Sequence, residues 1–295
     1  MRTKKFPVSR LIIHLVFILL CLTCIIPLFL IIAISFTDER SLLVEGYRLI
    51  PKDWSTSAYT YVFGGATSVM RAYGVTIFVT AAGTFLHLFV TSMLAYALSR
   101  PEVTWRNGIS LFVYIPILFN GGLVPTYTLI TRTLHLKNTI WVLIFVMMVS
   151  AVNVMIMKNY FRTIPNELIE SARIDGSNEF RTFFQIVLPL STPSLATIGL
   201  FVAVAYWNDW FTCSLYIEKA NLYTLQYLLQ SLMNNITYLQ SNAQASQSMQ
   251  EALGMLPSES ARMATCVLAI GPIILLYPFL QKYFSKGLTI GAVKG

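Results

Sequence analysis

The residues in this chain that could do chemistry are few and scattered. Asp209 is the one acidic residue inside an apolar run, within Trp207-Asn208-Asp209-Trp210. An acid in such a run faces a cavity or a partner rather than lipid. Trp207, Trp210 and the preceding Tyr206 are residue types that stack on sugar rings. With Asn120 of the Asn120-Gly121-Gly122 break, this group could line a translocation path; its aromatics could equally form a belt at a membrane interface. His87, also in an apolar run, could relay protons or sit as a neutral imidazole bonded to a neighbouring helix. Cys21 and Cys24 share a helix face, but no histidine or carboxylate completes a metal set. All four cysteines therefore read as small buried hydrophobes. No G-x-x-x-x-G-K-[ST] phosphate loop occurs, and no Ser, His and Asp are arranged for hydrolysis. The expectation is a non-catalytic protein without metal or cofactor.

The elements that position these residues are long apolar runs. The 295 residues are 56% hydrophobic, with a mean hydropathy of +0.64. Only 12% are charged, against about 25% in a soluble domain. Such a chain is a polytopic membrane protein, so its net charge of +8 reports topology and not a nucleic-acid partner. The first run, 11–36, follows a basic segment, 1–10. It is too long for a signal peptide and lacks a small-residue cleavage site, so it reads as an uncleaved span, kinked at Pro27. Further spans are expected near 72–98, from 108 with a break at Pro116 and 120–122, near 138–157, near 194–217, and near 261–284. Segment 37–71 reads as polar and irregular, and 218–260 as a long polar loop.

Six spans put both termini on one side. Of the 21 Lys and Arg, 13 fall in the N-terminus, 99–107, 158–193 and the end from Lys282; the opposite, longer segments hold 8. The positive-inside rule then puts both termini and 158–193 in the cytoplasm and 218–260 outside.

Glu167–Pro193, ELIESARIDGSNEFRTFFQIVLPLSTP, organises the chain. Pro165 suits a first helical position, and Ile164, Leu168 and Ala172 repeat every four residues as one narrow apolar face. Asp175-Gly176 is a turn pair, with glycine free to take positive φ. Ser177 can cap a second helix, with Glu179 in its first turn. Phe180, Phe183, Phe184 and Val187 recur at amphipathic spacing, and Pro189 and Pro193 close that helix.

Glu170-Ser171-Ala172, Gly176 and Ile186-Val187-Leu188-Pro189 resemble the Glu-Ala-Ala, x3, Gly, x9, Ile-x-Leu-Pro loop of ABC importer permeases, the EAA loop. Ser171 replaces an alanine with another small residue. The end of the chain, Lys286 to Gly295, resembles the tail of carbohydrate permeases related to the maltose importer. The resemblance implies an all-α membrane protein with the type I ABC importer permease fold. Residues 72–284 would form a permease core of five spans, with 158–193 as its coupling loop and 285–295 as a cytoplasmic tail.

It further implies that Glu167, Glu170, Ser171, Ala172, Asp175, Gly176, Ile186, Leu188 and Pro189 engage or support a separate ATPase. Glu170 would pair with a basic residue there, and Thr289, Gly291, Val293 and Gly295 would reach along two ATPase copies. A second homologous permease, an extracytoplasmic solute-binding protein and an oligosaccharide complete the implied set, in the bacterial plasma membrane. The competing readings are the same mechanism with a non-sugar solute, or a secondary transporter. The latter needs midplane ion-coupling groups and usually an inverted repeat, for which one aspartate and two span histidines supply little.

Overall fold

The structure, a computed structural model, describes residues 8–119, 121–243, 258–272 and 274. Among these it is helical, with no strand beyond one antiparallel bridge between Thr37 and Trp54. The chain divides into two compact units, Met1–Ala66 with Leu229–Pro272, and Thr67–Leu228 with Ile273–Gly295.

The first unit begins with the helix Val8–Ser35, which takes in Pro27 without ending. Its Ile12–Ser35 stretch is apolar and long enough to cross a membrane. Its large side chains stand outward, as on a helix surrounded by lipid. Cys21 and Cys24 are therefore exposed and not buried as expected, because the described residues pack little against this helix. Segment 37–71 is more ordered than expected: Asp38 Oδ2 accepts from Arg40 N–H (3.1 Å) to start Glu39–Glu45, and Ser57–Val62 forms another helix. Ala58 and Val62 pack with Ile236, Ala261 and Ala264 into a small core. Buried Glu39 caps the helix 258–272, accepting from Glu259 N–H (2.9 Å), Ser260 N–H (3.0 Å) and the Ser258 and Ser260 hydroxyls. A carboxylate there answers the unpaired N–H groups of a helix start. Sequence 218–260, read as a polar loop, contains the helix Leu225–Ala243.

The second unit is built on the helix Ala66–Ser99, which carries the membrane-length stretch Ser68–Ser99. It ends where Arg100 precedes Pro101, a residue that disfavours helical backbone before it. Arg106–Leu118 and Leu123–Thr133 follow, bent by 116° at the expected break, with Gly122 at φ +86. The span expected at 138–157 is not one helix. Ile140–Phe145 and Ala151–Phe161 are separated by a non-helical stretch that holds no Gly or Pro. The expected fifth span also divides, into Thr192–Asn208 and Phe211–Tyr216. Thus two helices among the described residues have membrane length, or four if each of two bent pairs counts as one span.

Leu98, Val142, Ile144, Val154, Met157 and Val187 form the centre of this unit's core. Glycine lets two helices close up. A Cβ on Gly83 would stand 2.6 Å from the Tyr206 ring, whose hydroxyl donates to Ile144 O (2.7 Å). Close approach at small residues is how helices associate in lipid, where burial alone drives little.

Candidate functional site

The polar loop folds as the sequence reading expects at its turn and differently around it. Asn166–Ile174 is a helix, preceded by Pro165. It ends on Gly176 at φ +81, with Gly176 N–H donating to Arg173 O (3.0 Å) and Ser177 N–H to Ala172 O (2.9 Å). This pair of bonds closes a helix end when the residue after the cap is left-handed. The buried face is Ile169 and Ala172; Leu168, expected inward, is exposed, because the inward direction falls one residue later. The second helix is capped by Asn178, whose Oδ1 accepts from Arg181 N–H (2.8 Å). Ser177 instead accepts from the Thr182 hydroxyl (3.1 Å).

A π-turn spans Phe183–Val187, so the expected phenylalanine stripe does not form one face. Phe183 and Val187 are buried, whereas Phe180 and Phe184 are exposed. The wide turn also lets Pro189 continue the helix instead of closing it: Leu188 N–H reaches back to Phe183 O. Proline lacks a donor and would otherwise crowd a carbonyl one turn earlier. Ile186 and Leu188 are half-buried, and Pro189 is exposed. The helix then turns by 79° into Thr192–Asn208.

Arg173 is the centre of a charged clamp. Its guanidinium donates to Glu102 Oε1 (2.8 Å) and, through Nη2 and Nε, to Glu179 Oε1 (2.8 and 3.1 Å). Glu179 Oε2 accepts from the Tyr96 hydroxyl (2.7 Å). One side chain thus joins the first loop helix, the second loop helix, the 99–105 loop and the last turn of Ala66–Ser99. The Glu102 carboxyl is held below its ordinary value, first by its own backbone N–H and then by Arg173. Arg173 is held more firmly in its charged form by Glu102 and Glu179. Arg100 lies over the Tyr96 ring, its Cζ 4.7 Å from the centroid. These groups border a cavity of about 370 Å³. Nothing in local spacing marks Arg173, Glu102 or Tyr96 as partners, since the bonds cross up to 83 positions.

Glu167 and Glu170 are exposed on the first loop helix, and no hydrogen bond or ion pair holds either within the described residues. Ser171 donates to Leu168 O, and Asp175 caps the helix end.

The aromatic segment sits at the far end of Thr192–Asn208, about 25 Å away along a helix of this length. Trp207 is buried, its ring 6.5 Å from that of Tyr73, whereas Trp210 is half-exposed against Phe211. The two indoles therefore do not share a face. Asp209 is at a helix break and not within a continuous helix: its Oδ1 accepts from Thr212 N–H (3.1 Å), starting Phe211–Tyr216. Exposed Asn208 accepts a bond from Gln226. Asn120 and the tail residues Thr289, Gly291, Val293 and Gly295 lie outside the described residues.

His87, 2% exposed, answers the interruption at 146–150. Its Nδ1 is 3.0 Å from Met147 O, and its Nε2 is 2.9 Å from Asn153 Nδ2. A carbonyl only accepts and an amide nitrogen only donates, so the imidazole is neutral with its proton on Nδ1. It is spent on structure, leaving no free site for proton relay.

Residues 87–290 match the family described as "Binding-protein-dependent transport system inner membrane component". The chain is 38% identical over 278 residues to the polygalacturonan/rhamnogalacturonan transport system permease protein YtcP of Bacillus subtilis (strain 168), covering 94% of this chain and 95% of that one. It is 41% identical over 273 residues to Protein LplC of the same organism, covering 92% and 90%. The structure is similar, with a TM-score of 0.80 and 26% identity, to a chain in the crystal structure of a bacterial ABC transporter involved in the import of the acidic polysaccharide alginate, covering 96% and 99%. Matched over this much of its length, the chain belongs to the binding-protein-dependent transport system inner membrane component family and is a non-catalytic permease subunit of an ABC importer.

Proposed function

We propose that this subunit forms half of the translocation path for an oligosaccharide and takes its power stroke through 158–193. The observation that carries the reading is Glu167 and Glu170, unspent in the fold, on a helix whose other side is clamped to the core. Carboxylates left over beside exposed Leu168, Ile174 and Phe180 suit a partner's basic, partly apolar cleft. Removing one partner from a buried charged pair costs about 3–5 kcal/mol, enough to hold two subunits in register.

The partners are two cytoplasmic ABC ATPases, a second homologous permease in a heterodimer, and an extracytoplasmic solute-binding protein, in the bacterial plasma membrane. Six spans leave both termini inside; 218–260 is outside, and the tail 285–295 reaches the ATPases. A push on Asn166–Ile174 passes by two routes. Arg173, Glu179 and Tyr96 carry it to Ala66–Ser99, and the helix continued through Pro189 carries it across the 79° bend at Ser191 to Thr192–Asn208. Just past the end of the latter helix stands Trp210, the one indole of the pair with a face to offer a passing sugar. The relatives' substrates support a saccharide cargo, with acidic oligosaccharides among the candidates to assay first.

The orientation is tested with cysteine placed by Ser177→Cys or Tyr238→Cys in a cysteine-free background. An impermeant maleimide should label the second variant in intact cells and the first only in inverted vesicles. Labelling of Ser177→Cys in intact cells contradicts the proposal.

A further inference from the structure

The geometry points to a binding site for the phosphate of a membrane phospholipid at Arg100, with the acyl chains on the apolar wall of the adjoining cavity. Arg100 is 6% exposed, yet its Nε and Nη2 are buried without a hydrogen-bond partner. A guanidinium is always charged, and its N–H donors lie in its own plane. The Tyr96 ring, 4.7 Å away over the face, attracts the charge but cannot satisfy those donors. The acids that face the same cavity are already engaged: Glu102 by Arg173, and Glu179 by both Arg173 and Tyr96. Two unpaired donors on one cation match two oxygens of a phosphate once the side chain turns them into the cavity that it lines.

The rest of the cavity is of the opposite kind. Met93, Ala97, Val103, Phe180 and Phe183 line most of it, a wall for hydrocarbon and not for a free ion. Its volume of about 370 Å³ takes a headgroup and the first part of an acyl chain, with the remainder outside. Depth agrees. Ser68–Ser99 has 32 residues, about 48 Å of helix, against about 40–45 Å for a bilayer with its headgroups. Arg100, next after Ser99, therefore stands at headgroup level. The inference rests on this helix spanning the bilayer and not on which side the loop faces or on what drives transport. A lipid here would wedge between the last turn of the spanning helix and the clamped loop, making the junction sensitive to the membrane.

The test uses the assembled transporter, purified in detergent, stripped of lipid and titrated with dioleoyl phosphatidylglycerol under native mass spectrometry. Parallel arms use dioleoylglycerol, glycerol 3-phosphate and inorganic phosphate. The expected result is one phosphatidylglycerol per transporter that is bound at least tenfold more weakly after Arg100→Gln, while none of the three partial ligands displaces it. Val103→Trp fills the apolar wall and keeps the guanidinium; it should weaken the same lipid by a similar factor, and it decides the matter if Arg100→Gln fails to assemble. Unchanged lipid binding in either assembled variant overturns the site. Displacement by glycerol 3-phosphate or inorganic phosphate makes it a free-phosphate site, and equal binding of dioleoylglycerol makes it only an apolar groove. Both results contradict the proposal. Co-purification of the ATPases in each variant separates loss of the lipid from loss of coupling.

Discussion

Two interruptions in the helical backbone of the second unit make opposite use of their polar groups. At 146–150 the chain breaks in apolar surroundings, and buried His87 takes up both the Met147 carbonyl and the Asn153 amide. At 175–178 it breaks in a polar segment, closed by glycine at φ +81 and by Asn178, and the flanking helix still carries Glu167 and Glu170 unengaged. An interior break cannot leave a freed group unsatisfied, because lipid and packed side chains offer no replacement bond. A surface break can keep charge in reserve for another protein. The contrast separates a device that holds the fold from one that we propose meets a partner.

The largest effect on stability is expected from His87→Leu. It strands an acceptor and a donor in the interior, at about 1–3 kcal/mol each, and should lower the thermal midpoint of the detergent-solubilised protein markedly. An unchanged midpoint removes the structural role of His87. Gly83→Ala comes next. Its Cβ would meet the Tyr206 ring at 2.6 Å, and overpacking of this kind costs about 1–3 kcal/mol. The same melt reads it, and a stabilised variant would mean that the two helices do not approach as described. Arg173→Ala should barely move the melt, since its ion pairs are partly exposed and such pairs contribute about 0–1 kcal/mol. Its effect belongs in coupling: ATP hydrolysis should persist while uptake per ATP falls several-fold. A large loss of stability with normal coupling would make the clamp an ordinary structural contact.

The surface break was readable from sequence because Asp175-Gly176 carries its own local signal. Its neighbourhood was less so. Ser177 and Asn178 are both competent caps, and only the backbone direction selects Asn178. The phenylalanine spacing assumed an α-helical period that the π-turn at Phe183–Val187 alters. The interior break had no signal, since Val146-Met147-Met148-Val149 reads as uninterrupted membrane helix. The clamp depends on Tyr96, Glu102, Arg173 and Glu179 meeting across the fold, which pattern within one segment does not reveal. Cysteine burial held for Cys213 and failed for Cys21, Cys24 and Cys266: a membrane helix is apolar on every side, so composition does not say which side is covered.

The central claim is that charge held in reserve on Asn166–Ile174 engages the ATPase. Its most direct test is Glu170→Lys in the assembled transporter, with ATPase recovery, ATP hydrolysis and labelled oligosaccharide uptake measured together in reconstituted vesicles. The substitution touches an exposed side chain with no bond to the rest of the described chain, so the subunit should fold and insert as before. Reversing the charge against a basic cleft should cost several kcal/mol, so the account predicts a permease present in the membrane, with ATPase recovery reduced at least tenfold or hydrolysis without uptake. Full ATPase recovery with uptake at the unmodified level would contradict it.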